Sequence, residues 1–231
     1  REGLCQADAA IVTLGDFIDA ETIRVATRLK ILANYAVGYN NIDLAAARQR
    51  GLIVTNTPDV LTDATADLTW ALLLATARRV VEGDALVRSG RWTGWSPTQL
   101  MGAEVSGKTL GVIGLGRIGQ AVAHRAVGFR MPVLYHTRHP TASTSFPREW
   151  EHRSLQALLR EADIVTIHLP LTPATQHLIG ARELSWMRPT AFLINTARGP
   201  IVDEGALVEA IKSKTIAGAG LDVYEQEPAI N

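Results

Sequence analysis

An apolar run, Thr109-Leu110-Gly111-Val112-Ile113, passes directly into Gly114-Leu115-Gly116-Arg117-Ile118-Gly119, and a helical stretch continues to Phe129. A strand that turns into a helix through glycines at this spacing has few ways to fold. The first glycine permits the tight turn. The second lets the backbone approach a bound group, and the third lets helix and strand pack closely. The helix start presents unpaired N–H groups and the positive end of its dipole, which suits a pyrophosphate. Gly114, Gly116 and Gly119 are therefore a candidate dinucleotide cradle. A glycine-rich turn alone is weak; the strand before it and the helix after it make this one specific.

The surrounding chain supplies the sheet that such a turn requires. Apolar runs at 109–114, 131–137, 163–169, 190–196 and 216–223 read as strands, with helices near 117–129, 154–161, 181–187 and 203–213. The runs are continuous rather than alternating, as expected for parallel strands covered on both faces by helices. This is the pattern of a doubly wound Rossmann domain. A shorter α/β block precedes it, with strands at 9–14, 29–37 and 52–55 and helices at 20–28 and 42–50. Asn41 or Asp43 can cap the second helix, and Gly51 ends it. We expect two Rossmann-like domains with parallel sheets, 1–56 and 57–231. The second opens on one long helix, rich in Ala and Leu, from Thr62 to about Ser89. Its apolar residues extend around most of the circumference, which predicts burial on more than one side. Trp92 and Trp95 follow in a loop.

Composition narrows the partners. The 231 residues carry a formal net charge of zero and are 47% hydrophobic. That balance argues against a nucleic acid or other polyanion as the main partner. A single cysteine, Cys5, rules out an internal disulfide framework and fits a reducing compartment, so the expected location is the cytoplasm. The longest apolar stretches, such as Trp70 to Ala77, are too short to span a bilayer.

Three further segments carry chemistry. The second strand of the larger domain ends Tyr135-His136-Thr137-Arg138-His139. An acidic residue here selects NAD by accepting from the ribose 2′-hydroxyl. Thr137 takes that place, with Arg138 beside it. An acid would repel a 2′-phosphate, whereas Thr with Arg binds one. NADP(H) is therefore preferred, with NAD(H) possible. Next, Asn195-Thr196-Ala197-Arg198-Gly199 follows an apolar strand. Arg198 thus falls at a strand's C-terminal end, where open α/β sheets bind ligands, and it can clamp a carboxylate bidentately. Last, Asp222 lies near the end of a strand and Glu227 in the loop beyond it. A carboxylate there can raise the pKa of a neighbouring imidazole. Read alone, these acids are equally consistent with a solvated loop.

Taken together, Ala36-Val37-Gly38-Tyr39-Asn40-Asn41-Ile42-Asp43, Gly114 to Gly119, His168-Leu169-Pro170-Leu171-Thr172, Asn195 to Gly199 and Gly220 to Pro228 occur in a fixed order. In this the chain resembles the D-isomer-specific 2-hydroxyacid dehydrogenases, most of all their glyoxylate/hydroxypyruvate reductase branch. The resemblance implies that 1–56 is a substrate domain and 57–231 the dinucleotide domain. It implies that backbone N–H groups of Val37 and Gly38 hold the substrate carboxylate, and that Arg198 binds carboxylate and keto oxygen. It implies that Glu227 pairs with the catalytic histidine. For the cofactor it implies Arg117 and Ile118 at the pyrophosphate, Pro170, Thr196 and Ala197 along its length, and Asp222 at the nicotinamide carboxamide. It also implies that the Trp95 loop reaches a partner subunit's site and that a cleft between domains closes on substrate; the apolar surface of the 63–89 helix with Trp92 and Trp95 predicts a homodimer through this region.

The general acid/base histidine of such enzymes lies in a Pro-His-Ile-Gly-type motif downstream of Glu227. We expect the smaller domain to continue before Arg1 and the larger one beyond Asn231. None of the six histidines takes that position, and His168, which ends a core strand, reads as structural. The expected reaction is reduction of a small 2-keto acid to a D-2-hydroxy acid. The alternatives are another dehydrogenase of the same scaffold, acting on phosphite, formate or 3-phosphoglycerate, or a non-catalytic NAD(P)-sensing corepressor. No metal site is expected.

Overall fold

A computed structural model describes residues 2–138, 147 and 149–230. His139, read with the ribose loop, lies outside these. The chain divides into two compact units, Arg1–Leu61 and Thr62–Asn231.

In the smaller unit, α1 (Glu2–Gln6) precedes β1 (Ala9–Val12), α2 (Ala20–Val25), β2 (Ile31–Asn34), α3 (Leu44–Arg50) and β3 (Ile53–Thr55). The three strands are parallel in the order β1-β2-β3. Asp19 and Asp43 cap the helices, accepting from Thr22 N–H at 2.8 Å and Ala46 N–H at 2.9 Å. Each satisfies a backbone donor that the first helical turn leaves unpaired. Gly51 ends α3 in the left-handed region, φ 68°, as its lack of a Cβ permits. The Arg50 guanidinium then donates to the carbonyls of Ile23, Ala26 and Leu29, which closes the C-terminal end of α2 against α3. Ile23, Ala26, Leu29, Leu32 and Ala47 form the core between helices and sheet.

The larger unit opens on α4 (Thr62–Ala77) and α5 (Val80–Arg88), and continues β4 (Leu110–Ile113), α6 (Arg117–Arg125), β5 (Val133–His136), β6 (Glu151–His152), α7 (Leu155–Glu161), β7 (Ile164–Ile167), α8 (Ala181–Leu184), β8 (Phe192–Asn195), α9 (Glu204–Lys212) and β9 (Gly218–Leu221). All six strands are parallel, in the order β6-β5-β4-β7-β8-β9. The chain starts mid-sheet at β4, winds outward to β6, then returns to build the other half. That order is the doubly wound dinucleotide-binding topology. One core cluster lies under α4 and α6, around Trp70, Leu73, Val112 and Ile194. The other lies under α7 to α9, around Ile167, Leu158, Leu193 and Leu207. Both faces of the sheet are therefore covered, which is why its strands carry no polar alternation.

The long helix expected from 62 to 89 is two helices. It breaks at Arg78-Arg79, where Arg79 takes φ 55°. The cause is tertiary. Ala103 N–H donates to the Ala77 carbonyl at 2.8 Å, and a Cβ on Gly102 would lie 2.5 Å from that same oxygen. The Gly102-Ala103 backbone seals the end of α4. Helix α4 is buried along Ala66, Thr69, Trp70, Leu73 and Ala77, whereas α5 buries nothing within this chain. Strand β6 adds a pairing that the apolar runs do not announce, because Glu151-His152 carries no apolar pattern. Among the described residues no helix is long and apolar enough to cross a membrane.

Candidate active site

The register of the larger sheet brings one residue from the end of each long strand to a common edge: His136, Ile113, Ile167, Asn195 and Leu221 stand side by side. Each candidate segment begins one residue later. Gly114 follows β4, Thr137 follows β5, His168 to Pro170 follow β7, Thr196 to Arg198 follow β8, and Asp222 follows β9. This carboxyl edge is where open parallel sheets bind ligands.

The three glycines meet three different physical demands. Gly114 has φ 95°, and a Cβ there would sit 2.6 Å from the His168 carbonyl oxygen. Gly119 is buried in α6, where a Cβ would sit 2.1 Å from the Gly114 carbonyl oxygen. Around Gly116, at the N-cap of α6, a Cβ would meet nothing within 4 Å. Gly114 and Gly119 are thus required by the fold. Gly116 is not, and the space before it suits an approaching phosphate. Behind it the first N–H groups of α6 have no intrahelical partner. Arg117 is exposed, while the Ile118 side chain packs onto the core, so Ile118 offers a phosphate its backbone alone. These features fit the pyrophosphate of a dinucleotide.

Thr137 is half-buried and Arg138 exposed immediately beyond β5. Neighbouring His136 is engaged, its Nδ1 lying 3.0 Å from the Arg153 carbonyl oxygen. Pro170 is exposed, and its carbonyl accepts from the Thr175 hydroxyl at 2.7 Å. The Thr196 hydroxyl lies 2.8 Å from that of Thr69, which ties α4 to the end of β8.

Arg198 is set by Asn195, the last residue of β8 and 1% exposed. Its Nδ2 donates to the Arg198 carbonyl at 2.9 Å and its Oδ1 accepts from Ala197 N–H at 3.0 Å. One side chain therefore closes the turn that lifts Arg198 from the sheet. Gly199 permits the next contact: a Cβ there would overlap the Tyr224 carbonyl. The loop after β9 is held by a reciprocal pair. Glu204 N–H donates to Glu225 Oε2 at 3.2 Å, and Glu225 N–H donates to Glu204 Oε2 at 2.8 Å. Glu225 also meets His177 Nε2 at 2.6 Å through its other oxygen. Within this frame Glu227 accepts from Tyr224 N–H at 2.8 Å. Burial lowers the Arg198 pKa and the Glu227 carboxylate opposes that shift, so the two groups share one field. Asp222 is exposed, and its N–H donates to the Asn195 carbonyl at 3.0 Å. In the smaller unit, Val37 and Gly38 lie half-buried in the loop after β2.

His168 is held in the sheet's hydrogen-bond ladder by its backbone, which donates to the Ile113 carbonyl at 2.8 Å. Its Nε2 is buried with no partner among the described residues, and desolvation pushes its pKa down to about 4. A neutral imidazole of this kind is a poor general acid at neutral pH. Among the described residues no group of His, Cys, Asp and Glu could hold a metal.

The family model for the D-isomer specific 2-hydroxyacid dehydrogenase NAD binding domain matches residues 70–231. The chain belongs to that family, and its cofactor is a nicotinamide dinucleotide. It is 52% identical over 236 residues to a glyoxylate reductase of Thermococcus litoralis, covering 100% of this chain and 71% of that protein. A crystal structure of a Thermus thermophilus protein matches with a TM-score of 0.91 and 51% identity, over 99% of this chain and 72% of the other. The NADPH-dependent glyoxylate/hydroxypyruvate reductase of Sinorhizobium meliloti, solved with NADP and malonate, matches with a TM-score of 0.87 and 37% identity, over 100% and 71%.

The packing around the glycines separates fold from binding. Gly119→Ala should cost about 1–3 kcal/mol in chemical denaturation, as overpacking does, and weaken dinucleotide binding. Gly116→Ala should cost no more than about 1 kcal/mol, the scale of a lost N-cap preference, yet weaken the dinucleotide at least about tenfold. Normal cofactor affinity in Gly116→Ala would refute the cradle. A further prediction concerns His168, whose folded pKa lies below its ordinary 6.5. The unfolded chain therefore binds a proton that the folded one refuses. Stability is fully present above pH 6.5 and falls as the pH drops toward 4, by roughly 3 kcal/mol in total at about 1.4 kcal/mol per unit. His168→Asn should flatten that part of the stability–pH curve, and an unchanged slope would assign it elsewhere.

Proposed function

We propose that this protein reduces a small 2-keto acid, glyoxylate or hydroxypyruvate, to the D-2-hydroxy acid, with NADPH as the preferred donor. The observation that carries the reading is Arg198: a partly buried guanidinium lifted from the carboxyl edge by a buried asparagine, in the field of Glu227. The similarity to glyoxylate reductases supports the substrate class. Gly114, Gly116, Arg117, Ile118, Gly119, Pro170, Thr196, Ala197 and Asp222 hold the cofactor, which when bound supplies the hydride.

In this reading Val37 and Gly38 N–H groups bind the substrate carboxylate. Arg198 binds carboxylate and keto oxygen and stabilises the alkoxide that develops there. Its planar fork fixes both groups at once. A histidine in a Pro-His-Ile-Gly-type motif downstream of Glu227 donates the proton to that oxygen, and the Glu227 carboxylate raises its pKa. Two copies pair through α4, α5 and the Trp92/Trp95 loop. Trp95 is 82% exposed and Val81 71% exposed, an apolar surface of the kind that marks interfaces. The cytoplasm, with its reducing conditions, suits the single cysteine. In this reading the substrate amides lie in the smaller domain, 1–56, and Arg198 and the dinucleotide residues in the larger, 57–231.

Arg198→Lys keeps the charge and loses the fork. Steady-state kinetics should show turnover reduced by about 100-fold or more, the effect of removing one preorganised oxyanion donor, with cofactor binding intact. Near-normal turnover would refute the role. For the cofactor, Arg138→Ala should weaken NADPH by about 1.5–3 kcal/mol, the scale of a hydrogen bond to a charged group, and leave NADH nearly unchanged. Calorimetric titrations that show equal losses for both would remove the 2′-phosphate contact.

A further inference from the structure

In the smaller unit, three consecutive carbonyls of the loop after β2 are each tied back into the fold. The Ala36 carbonyl accepts from Thr57 N–H at 3.0 Å. The Val37 carbonyl accepts from Asn56 Nδ2 at 2.9 Å, and the Gly38 carbonyl from Asn34 Nδ2 at 2.7 Å. A trans peptide is planar, and its N–H points opposite to its C=O. The N–H that shares a plane with each tethered carbonyl must therefore face away from the tether. The Ala36 carbonyl sets the Val37 N–H, the Val37 carbonyl sets the Gly38 N–H, and the Gly38 carbonyl sets the Tyr39 N–H. Among the described residues none of these three N–H groups donates to the protein. Unspent amides on fixed peptide planes are donors available to an anion.

The tethers are themselves held. Asn34 is 1% exposed, and its Oδ1 accepts from Asn41 Nδ2 at 3.2 Å. Asn41, 2% exposed, also donates to the carbonyls of Thr13 at 2.9 Å and Asp16 at 3.2 Å. Asn56 leaves the end of β3, the strand paired with β2. Two strand ends thus supply the two side-chain amides. We propose that Asn56 and Asn34 are positioning residues for the substrate carboxylate: they fix the Val37-Gly38-Tyr39 peptide planes so that their N–H groups face the anion. The inference rests on the reading of Val37 and Gly38 as the carboxylate site, and it adds Tyr39 N–H as a third donor.

The test uses Asn56→Asp in the full-length protein, since Asp has the same shape but meets the Val37 carbonyl with an acceptor. The probe is oxamate, with saturating NADPH, read by binding affinity and by the backbone amide signals of Val37, Gly38 and Tyr39 in two-dimensional NMR. In the natural protein oxamate should shift all three signals. In Asn56→Asp its affinity should fall at least about tenfold, with the Gly38 shift lost. The KM for glyoxylate should rise in parallel, while kcat changes less than about threefold, because a ground-state and transition-state contact is lost equally. NADPH affinity should not move. If oxamate leaves the three signals of the natural protein unshifted, the carboxylate reading fails and this proposal with it. If the signals shift alike in both proteins at equal affinity, the tethers are structural and the carboxylate reading stands. Should Asn56→Asp not fold, Asn56→Ala carries the same comparison, with water able to reach the half-buried Val37 carbonyl.

Discussion

The larger unit depends on the close approach of three pieces of backbone at Gly114. Its carbonyl oxygen receives α6 at Gly119, and its own Cα faces the His168 carbonyl at the end of β7. No side chain fits in either gap. This contact sets the angle at which α6 leaves the sheet and aims the first N–H groups of the helix over the carboxyl edge. The His168 imidazole, whose backbone takes part in this contact, lies desolvated, and its Nε2 has no partner among the described residues.

Both units solve one problem in the same way. A chain that leaves a parallel sheet at its carboxyl edge loses the ladder that satisfied its backbone. In the larger unit the last residue of β8 is Asn195, and in the smaller unit the last residue of β2 is Asn34. Each is 1% exposed, and each returns a side-chain amide to a carbonyl in the loop that follows, Arg198 or Gly38. Asparagine carries donor and acceptor on one short, neutral side chain, so it can replace the lost ladder without bringing a charge into the core. The effect is to fix two loops, the one that carries Arg198 and the one that carries the Val37 and Gly38 amides.

Much of this is legible in the sequence, because it rests on local chemistry. The apolar runs lie where strands β4, β5, β7, β8 and β9 form, the glycine turn sits where β4 meets α6, and Asp43 and Gly51 cap α3 as their types suggest. The break at Arg78-Arg79 is not legible. Apolar residues resume beyond it, and what stops the helix is the Gly102-Ala103 backbone, far downstream in the chain. Strand β6 is invisible because Glu151 and His152 are exposed and owe their conformation to pairing with β5. The tethering roles of Asn34, Asn41 and Asn56 leave little signal: Asn34 lies inside the apolar run 29–37, Asn41 in the turn before α3 and Asn56 just beyond the run 52–55, each of which resembles an ordinary asparagine of a strand end or turn.

The sequence by itself determined the fold class, the position of the glycine turn between β4 and α6, the absence of an acid after β5 and which residues follow each strand. These follow from period, composition and the steric licence of glycine, all properties of neighbouring residues. Tertiary structure alone decided how those residues are arranged. Register brought five strand ends to one edge. Burial left His168 neutral and placed Arg198 within the field of Glu227, and tethered carbonyls turned the Val37 and Gly38 amides outward. Each of these depends on residues distant in the chain meeting in space, and no local pattern encodes a distance, a dielectric or the direction of a peptide plane.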